Sequence, residues 1–305
     1  MTLNEIIADI KSDRVKKVIF DSDTYNEMDD QYAIAYALGS ERINVVAINA
    51  ALFHNQRSES FADGMEKSYE EIGRVLKVCH REDTPYFRGC PTPISESKNF
   101  APVDSEAVRN IIKIAHESDE MVYILTTGAC TNVASAIMTD PSIKENICVI
   151  WLGGNCLECS DLGEFNLVQD YRAGQYLLNC NVNLILLPAI GAKGHGTQML
   201  TATDEDLAII KGNSDACVFF RDTLPDEFRQ ETVEYSGRFI RIIWDVAAPA
   251  VLSVPEAFSF SIIPAPVFAD NGRYAFDAMR PKIIYMEKLD ARAVFKDTFE
   301  CIGRL

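Results

Sequence analysis

The strongest constraint on this chain is a set of five short apolar runs rich in β-branched residues, set apart by stretches of helical periodicity. The runs are residues 15–21 (VKKVIFD), 43–51 (INVVAINAA), 122–126 (VYILT), 147–152 (ICVIWL) and 182–187 (VNLILL). Each is apolar on both faces, as a strand buried in a parallel sheet is. Helical patterns cover residues 30–38, 64–79, 108–116, 132–138, 171–178, 204–211 and 244–252. This alternation predicts an α/β fold, a mainly parallel β-sheet flanked by helices. Residues 90–103 read as a polar, proline-rich loop and residues 258–280 as irregular or strand-like. With no repeat, linker or low-complexity tract, residues 1–305 read as a single domain. In such sheets ligands bind at the carboxyl ends of the strands, which decides where to look for chemistry.

Charge narrows the ligand. A formal net charge of −16 repels phosphate backbones, so no nucleic-acid partner is expected, while uncharged bases and nucleosides remain open. No run approaches the roughly 20 apolar residues of a membrane span, so no membrane association is expected. The start, MTLNEIIADIKSDRVKK, reads as an amphipathic helix and not a signal peptide, which predicts a cytoplasmic protein. Nine cysteines without framework spacing predict reduced thiols, the Cys156/Cys159 pair included.

The first strand runs into VIFDSDTYNEMDDQYAIAYAL. Asp21 and Asp23 fall where the strand opens into a loop, and Asp29 and Asp30 where the next helix begins. A helix macrodipole accounts for acidic residues in a first turn, which covers Asp29 and Asp30 but not the other two. Carboxylates this dense repel one another unless a cation or shared protons relieve them. An all-oxygen donor set favours a hard cation over zinc.

Two patterns compete for this segment. Haloacid dehalogenase-like phosphohydrolases, which use Mg²⁺, also open with a strand and DxDx[TV], but here Tyr25 stands at the Thr/Val position and no later GDxxxD is present. The chain more closely resembles the nucleoside hydrolase (inosine/uridine-preferring) family, whose opening motif is DTDPGxDDAxAI. Asp21-Ser22-Asp23, Asp29-Asp30 and Ala33-Ile34 match it, with Thr24-Tyr25-Asn26-Glu27-Met28 making the middle two residues longer. LTTGACTNVA (125–134) resembles the family's LGPLTNxA, GEFNLVQD (163–170) its AEFNxxxD, and IWDVAA (243–248) its late HD segment, with Trp244 in place of His.

That resemblance implies a nucleoside hydrolase-like, Rossmann-like core and hydrolysis of a ribonucleoside's N-glycosidic bond, dependent on calcium (Ca2+). It implies Asp23, Asp30, the Thr131 carbonyl and Asp245 as metal ligands, and Asp23 as the general base. Asp29, Glu164 and Asn166 are implied at the ribose hydroxyls, Asn49 beneath the sugar, and Asn155 at a further family asparagine. Trp244 is implied to stack on the base, as in purine-preferring members. His54, Asn55 and Arg57 offer themselves on the base side, and His195 matches a late histidine that some members carry. A small-molecule ribonucleoside substrate, a role in nucleoside catabolism and purine salvage, and a homodimer or homotetramer follow from the same resemblance. A non-catalytic metal- or nucleoside-binding relative is the remaining alternative.

Overall fold

A computed structural model describes residues 1–159, 163–192, 195–228, 239–270 and 272–305. Its centre is an eight-stranded sheet in the order β3-β2-β1-β4-β5-β6-β12-β9. The strands are β1 Lys16–Ser22, β2 Ile43–Ala50, β3 Tyr86–Phe87, β4 Val122–Thr126, β5 Ile147–Leu152, β6 Asn183–Leu187, β9 Phe258–Pro264 and β12 Lys282–Leu289. All neighbours pair in parallel except β9, which runs antiparallel to β12. Two small antiparallel pairs lie outside the sheet: β7 Thr201–Thr203 with β8 Ile240–Ile242, and β10 Val267–Phe268 with β11 Tyr274–Ala275.

Every residue of β4 and β5 is buried, and Val18, Ile19 and Phe20 of β1 are fully so, as continuous apolar runs in a doubly covered sheet require. The five strand runs read from the sequence all form, with ends moved by at most a residue. Edge strand β3, strand β12 and the helix Ala291–Ile302 were not anticipated. The segment read as irregular or strand-like supplies β9, β10 and β11. The helix pattern at 204–211 shortens to Asp204–Leu207.

The helix Asp29–Gly39 is buried from Asp29 through Ala37, a consequence of the apolar run YAIAYAL on all its faces. Helices Phe61–Val78 and Glu106–Glu117 are amphipathic, and each is capped by a serine: Ser60 Oγ accepts from the Asp63 N–H and Ser105 Oγ from the Val108 N–H.

The strand order reverses between β1 and β4, whose neighbours β2 and β5 lie on opposite sides. Their carboxyl ends therefore diverge into loops that leave a crevice. Asn132, buried behind it, holds this corner together. Its Nδ2 donates to Asp21 Oδ1 (2.8 Å) and the Ala50 carbonyl (3.1 Å), and its Oδ1 accepts from the Cys90 N–H (2.7 Å). Asn132→Ala leaves three buried polar groups without partners and is expected to cost about 3 kcal/mol. Urea unfolding checks this; a loss under about 1 kcal/mol would show that these bonds are dispensable.

Candidate functional site

A cavity of about 410 Å³ opens at the carboxyl ends of β1, β4 and β5. Asp23, Asp29, Asp245, Thr127, Glu164 and Asn166 line its deep part, and Asn26, Glu27, Asn55, Gln56 and Trp244 are the more exposed residues around it. Five segments separated in sequence thus meet in one place.

The acidic floor is built from the ends of elements. Asp23 follows β1, Asp29 and Asp30 start the next helix, and Asp245 sits in the turn before the helix Ala247–Ser253. One carboxylate oxygen from each of Asp29, Asp30 and Asp245 lies within 4.8 Å of the others. Asp30 Oδ1 accepts from Ser22 Oγ (2.6 Å) and Thr127 Oγ1 (2.8 Å), which fixes its orientation. Both carboxylate oxygens of Asp23 are buried and have no hydrogen-bond partner among the described residues. Gly128 lets β4's loop close over Asp23: a Cβ there would lie 2.9 Å from Ala51 Cβ and 3.2 Å from Asp23 Cβ and Cγ.

Burial, then repulsion from neighbouring carboxylates, holds Asp23, Asp29 and Asp245 well above the ordinary carboxylate range. Asp30 is also raised by burial, against the opposing effect of its hydroxyl donors. No lysine, arginine or histidine is among the described residues lining the cavity. The floor is therefore a dense set of oxygen donors with no cationic side chain on the described lining, Arg241 acting on Asp29 through its charge, which fits a hard divalent cation.

Glu164 caps the helix Phe165–Gln169, accepting at Oε1 from the Asn166 N–H (2.9 Å) and at Oε2 from the Leu167 (2.9 Å) and Gly154 (2.7 Å) N–H groups. Asn166 Nδ2 donates to the Thr127 (2.7 Å) and Leu152 (3.1 Å) carbonyls, so its side chain bridges the ends of β4 and β5. Asn155 also lines the cavity, its Oδ1 accepting from the Ile190 N–H at 3.2 Å.

Several expected positions fall elsewhere. Thr131 begins the helix Thr131–Thr139, donates to Asp170 Oδ2 (2.8 Å) and is not on the cavity; Thr127, at the end of β4, is the threonine of that segment that lines it. Asn49 lies inside β2, fully buried and off the cavity wall, and both its side-chain polar atoms lack a partner among the described residues. Its register partner Asp21 is likewise fully buried and outside the cavity, bonded to Asn132, with its carboxyl pushed up to about 7 by burial. Asp21 is thus withdrawn from the nucleophile's place that a dehalogenase-like reaction would require.

His54 is exposed and bonded to Ser58, and Arg57 stacks on Tyr25 and Phe228. His195 is not among the lining residues either. Cys156 and Cys159, expected as free thiols, form a disulfide, because a tight turn (Cys159 N–H to Cys156 carbonyl, 3.0 Å) brings their Cα atoms to 5.2 Å. The other seven cysteines are free. No helix among the described residues is long and apolar enough to cross a membrane.

Sequence reasoning missed Thr127, Asn26, Glu27 and Gln56 on the cavity wall. The signal for Thr127 was its place directly after β4; the others lie on loops whose course no local pattern gives.

The family model described as inosine-uridine preferring nucleoside hydrolase matches residues 18–296. The pyrimidine-specific ribonucleoside hydrolase RihA of Escherichia coli is 26% identical over 181 residues, 52% of this chain and 56% of that protein. Its counterpart from Salmonella newport is 26% identical over 192 residues, 55% of this chain and 58% of that protein. The chain thus spans little more than half the length of the curated relatives it matches. A plant nucleoside hydrolase superposes with a TM-score of 0.74 at 18% identity, over 95% of this chain and 99% of that one. A purine-preferring ribonucleoside hydrolase from Gardnerella vaginalis gives 0.74 at 18% identity, over 94% and 98%.

The raised carboxyls have a consequence for stability. A carboxyl whose folded-state pKa exceeds its unfolded value near 4 favours folding below that value, and the advantage is lost as pH rises through the folded pKa. Without divalent cations, Tm is expected to fall as pH rises from 5 to 8, through about 7 for Asp21 and with the raised floor carboxyls acting in the same direction. Saturating Ca²⁺ is expected to restore roughly 5 °C at pH 8 and less at pH 5. Thermal scans with chelator and with Ca²⁺ decide this; a flat profile, or equal shifts at both pH values, would remove the cation from the account.

Proposed function

The chain belongs to the inosine-uridine preferring nucleoside hydrolase family, and from that premise we propose that it hydrolyses the N-glycosidic bond of ribonucleosides, in dependence on Ca²⁺. The observation that carries this reading is one cavity lined by Asp23, Asp29 and Asp245 together with Glu164, Asn166 and an aromatic side chain, Trp244. A floor of carboxylates alone would hold a cation; the added carboxylate, amide and indole suit a sugar and a flat ring.

Asp23, Asp30 and Asp245 are assigned to the cation, with Thr127 in place of Thr131 as the contact from the loop after β4. A bound Ca²⁺ supplies Lewis-acid polarisation of water and anchorage for vicinal hydroxyls. Asp23, whose oxygens have no hydrogen-bond partner among the described residues, accepts a proton from the attacking water. The water oxygen bonds to C1′ as the C1′–N bond breaks and its electron pair leaves with the base. Asp29 and Glu164 accept hydrogen bonds from ribose hydroxyls, and the surrounding negative charge stabilises the cationic character that builds at C1′. Trp244, half-buried beside Asp245, stacks on the base.

Purified protein is expected to release free base from at least one of inosine, guanosine, uridine and cytidine, to lose that activity to a chelator and to regain it with Ca²⁺. Asp23→Asn is expected to lower kcat about 10³-fold. No base released from any of the four, with Ca²⁺ present, would sink the reading; an Asp23→Asn variant within about threefold of the parent would remove the base role.

A further inference from the structure

A departing base takes the bond's electron pair, and something must stabilise it. Among the described residues lining the cavity there is no histidine, lysine, arginine or tyrosine to serve as the acid. The longer corner between Asp23 and Asp29 instead brings Asn26 and Glu27 to the wall, beside Asn55 and Gln56. Glu27 is held by Arg241 at 3.1 Å, which offsets its charge.

The orientation of the Asn26 amide follows from its neighbours. The Arg57 backbone N–H reaches Asn55 Oδ1 at 2.8 Å; an N–H only donates, so that atom is the carbonyl oxygen. Asn55 then has only its Nδ2 to offer, and this donates to Asn26 Oδ1 at 2.7 Å. Asn26 is left presenting Nδ2, which has no hydrogen-bond partner among the described residues. The Asn26 backbone N–H donates to the Asp23 carbonyl at 2.7 Å, tying this amide to the acidic floor. A side-chain amide that could sit either way round is thereby fixed with its donor end free.

Building on the hydrolase reading, we propose that Asn26 Nδ2 donates a hydrogen bond to the departing base, with Asn55 and the Arg57 backbone as the relay that sets its polarity. As C1′–N breaks, the electron pair spreads onto a carbonyl oxygen or bare ring nitrogen of the base, which accepts the Asn26 N–H. The amide keeps its proton, and solvent protonates the free base. A donor aimed at developing negative charge stabilises the departing base without transferring a proton. The ligand chemistry is a nucleobase presenting an acceptor to the cavity mouth.

Two isosteric variants test it. Asn26→Asp keeps the acceptor that Asn55 needs and removes the donor. On uridine or inosine its kcat/KM is expected to fall 10- to 100-fold more than on p-nitrophenyl β-ribofuranoside, whose leaving group needs little help. Asn55→Asp offers acceptors to both Arg57 and Asn26, so the Asn26 amide must turn and present its carbonyl. The ratio of activity on amino-bearing bases (cytidine, adenosine) to oxo-bearing bases (uridine, inosine) is then expected to rise at least fivefold. Equal losses on nucleoside and aryl riboside for Asn26→Asp, or an unmoved amino/oxo ratio for Asn55→Asp, overturn the role. A parent protein that cleaves no nucleoside fails the hydrolase reading itself, whereas an active parent with unmoved ratios fails Asn26 alone.

Discussion

The cost of burying several carboxylates side by side governs this structure. Asp23, Asp29, Asp30 and Asp245 are each at most 4% exposed, and the described cavity wall offers them no cationic side chain. An isolated buried charge costs several kcal/mol, and adjacent like charges cost more. A fold that only needed stability would place apolar or amide side chains there. The arrangement holds because the backbone leaves little choice: Asp23 is positioned by β1, Asp29 and Asp30 by a helix packed in the core, and Asp245 by the turn leading into another buried helix. The strain is thus stored where a cation and a sugar can relieve it.

The sheet order gives that strain its location. Strands β1 and β4 are neighbours with chain crossing away on either side, so the loops after them separate and expose the floor. Rigid elements carry the carboxylates, and loops carry the mouth. Glu164 and Asn166 lie between the two regimes. Each spends hydrogen bonds on strand ends or on its own helix, which pins its side chain at the boundary of cavity and core. Chemistry common to any ribonucleoside belongs on such rigid parts, and discrimination among bases on the adaptable loops.

The sequence made the floor legible and the mouth illegible, for different reasons. Asp21, Asp23, Asp29 and Asp30 announce themselves because a continuous apolar strand ends at them and a helix starts from them. Asp245, Glu164 and Asn166 become legible through motif order and not through local chemistry. Thr131 and Asn49 show where such reading slips. In LTTGACTNVA two threonines flank a tight turn, and only the strand's end decides that Thr127 stays at the cavity while Thr131 moves into the helix. For Asn49, the strand forms where the sequence places it, but the residue pairs in register with Asp21 and is buried away from the cavity wall. Strand β12 is harder to read because exposed charges, Lys282, Glu287 and Lys288, flank its apolar run and leave it only four residues long.

The two extra residues between Asp23 and Asp29 sharpen the division between floor and mouth. An insertion inside this corner would be expected to scatter its carboxylates, yet one oxygen each of Asp29, Asp30 and Asp245 still lies within 4.8 Å of the others. The added length is absorbed outward. The Asn26 N–H closes a turn onto the Asp23 carbonyl, Ser22 bonds Thr24 at 2.6 Å, and Met28 is fully buried, so both ends of the corner stay anchored. What changes is the wall, where Asn26 and Glu27 stand at the cavity, locked by Asn55 and Arg241. An insertion held at both ends can alter only what lies between them, so a chain that departs from its family's motif in this corner keeps its acidic floor and rewrites the cavity wall beside it.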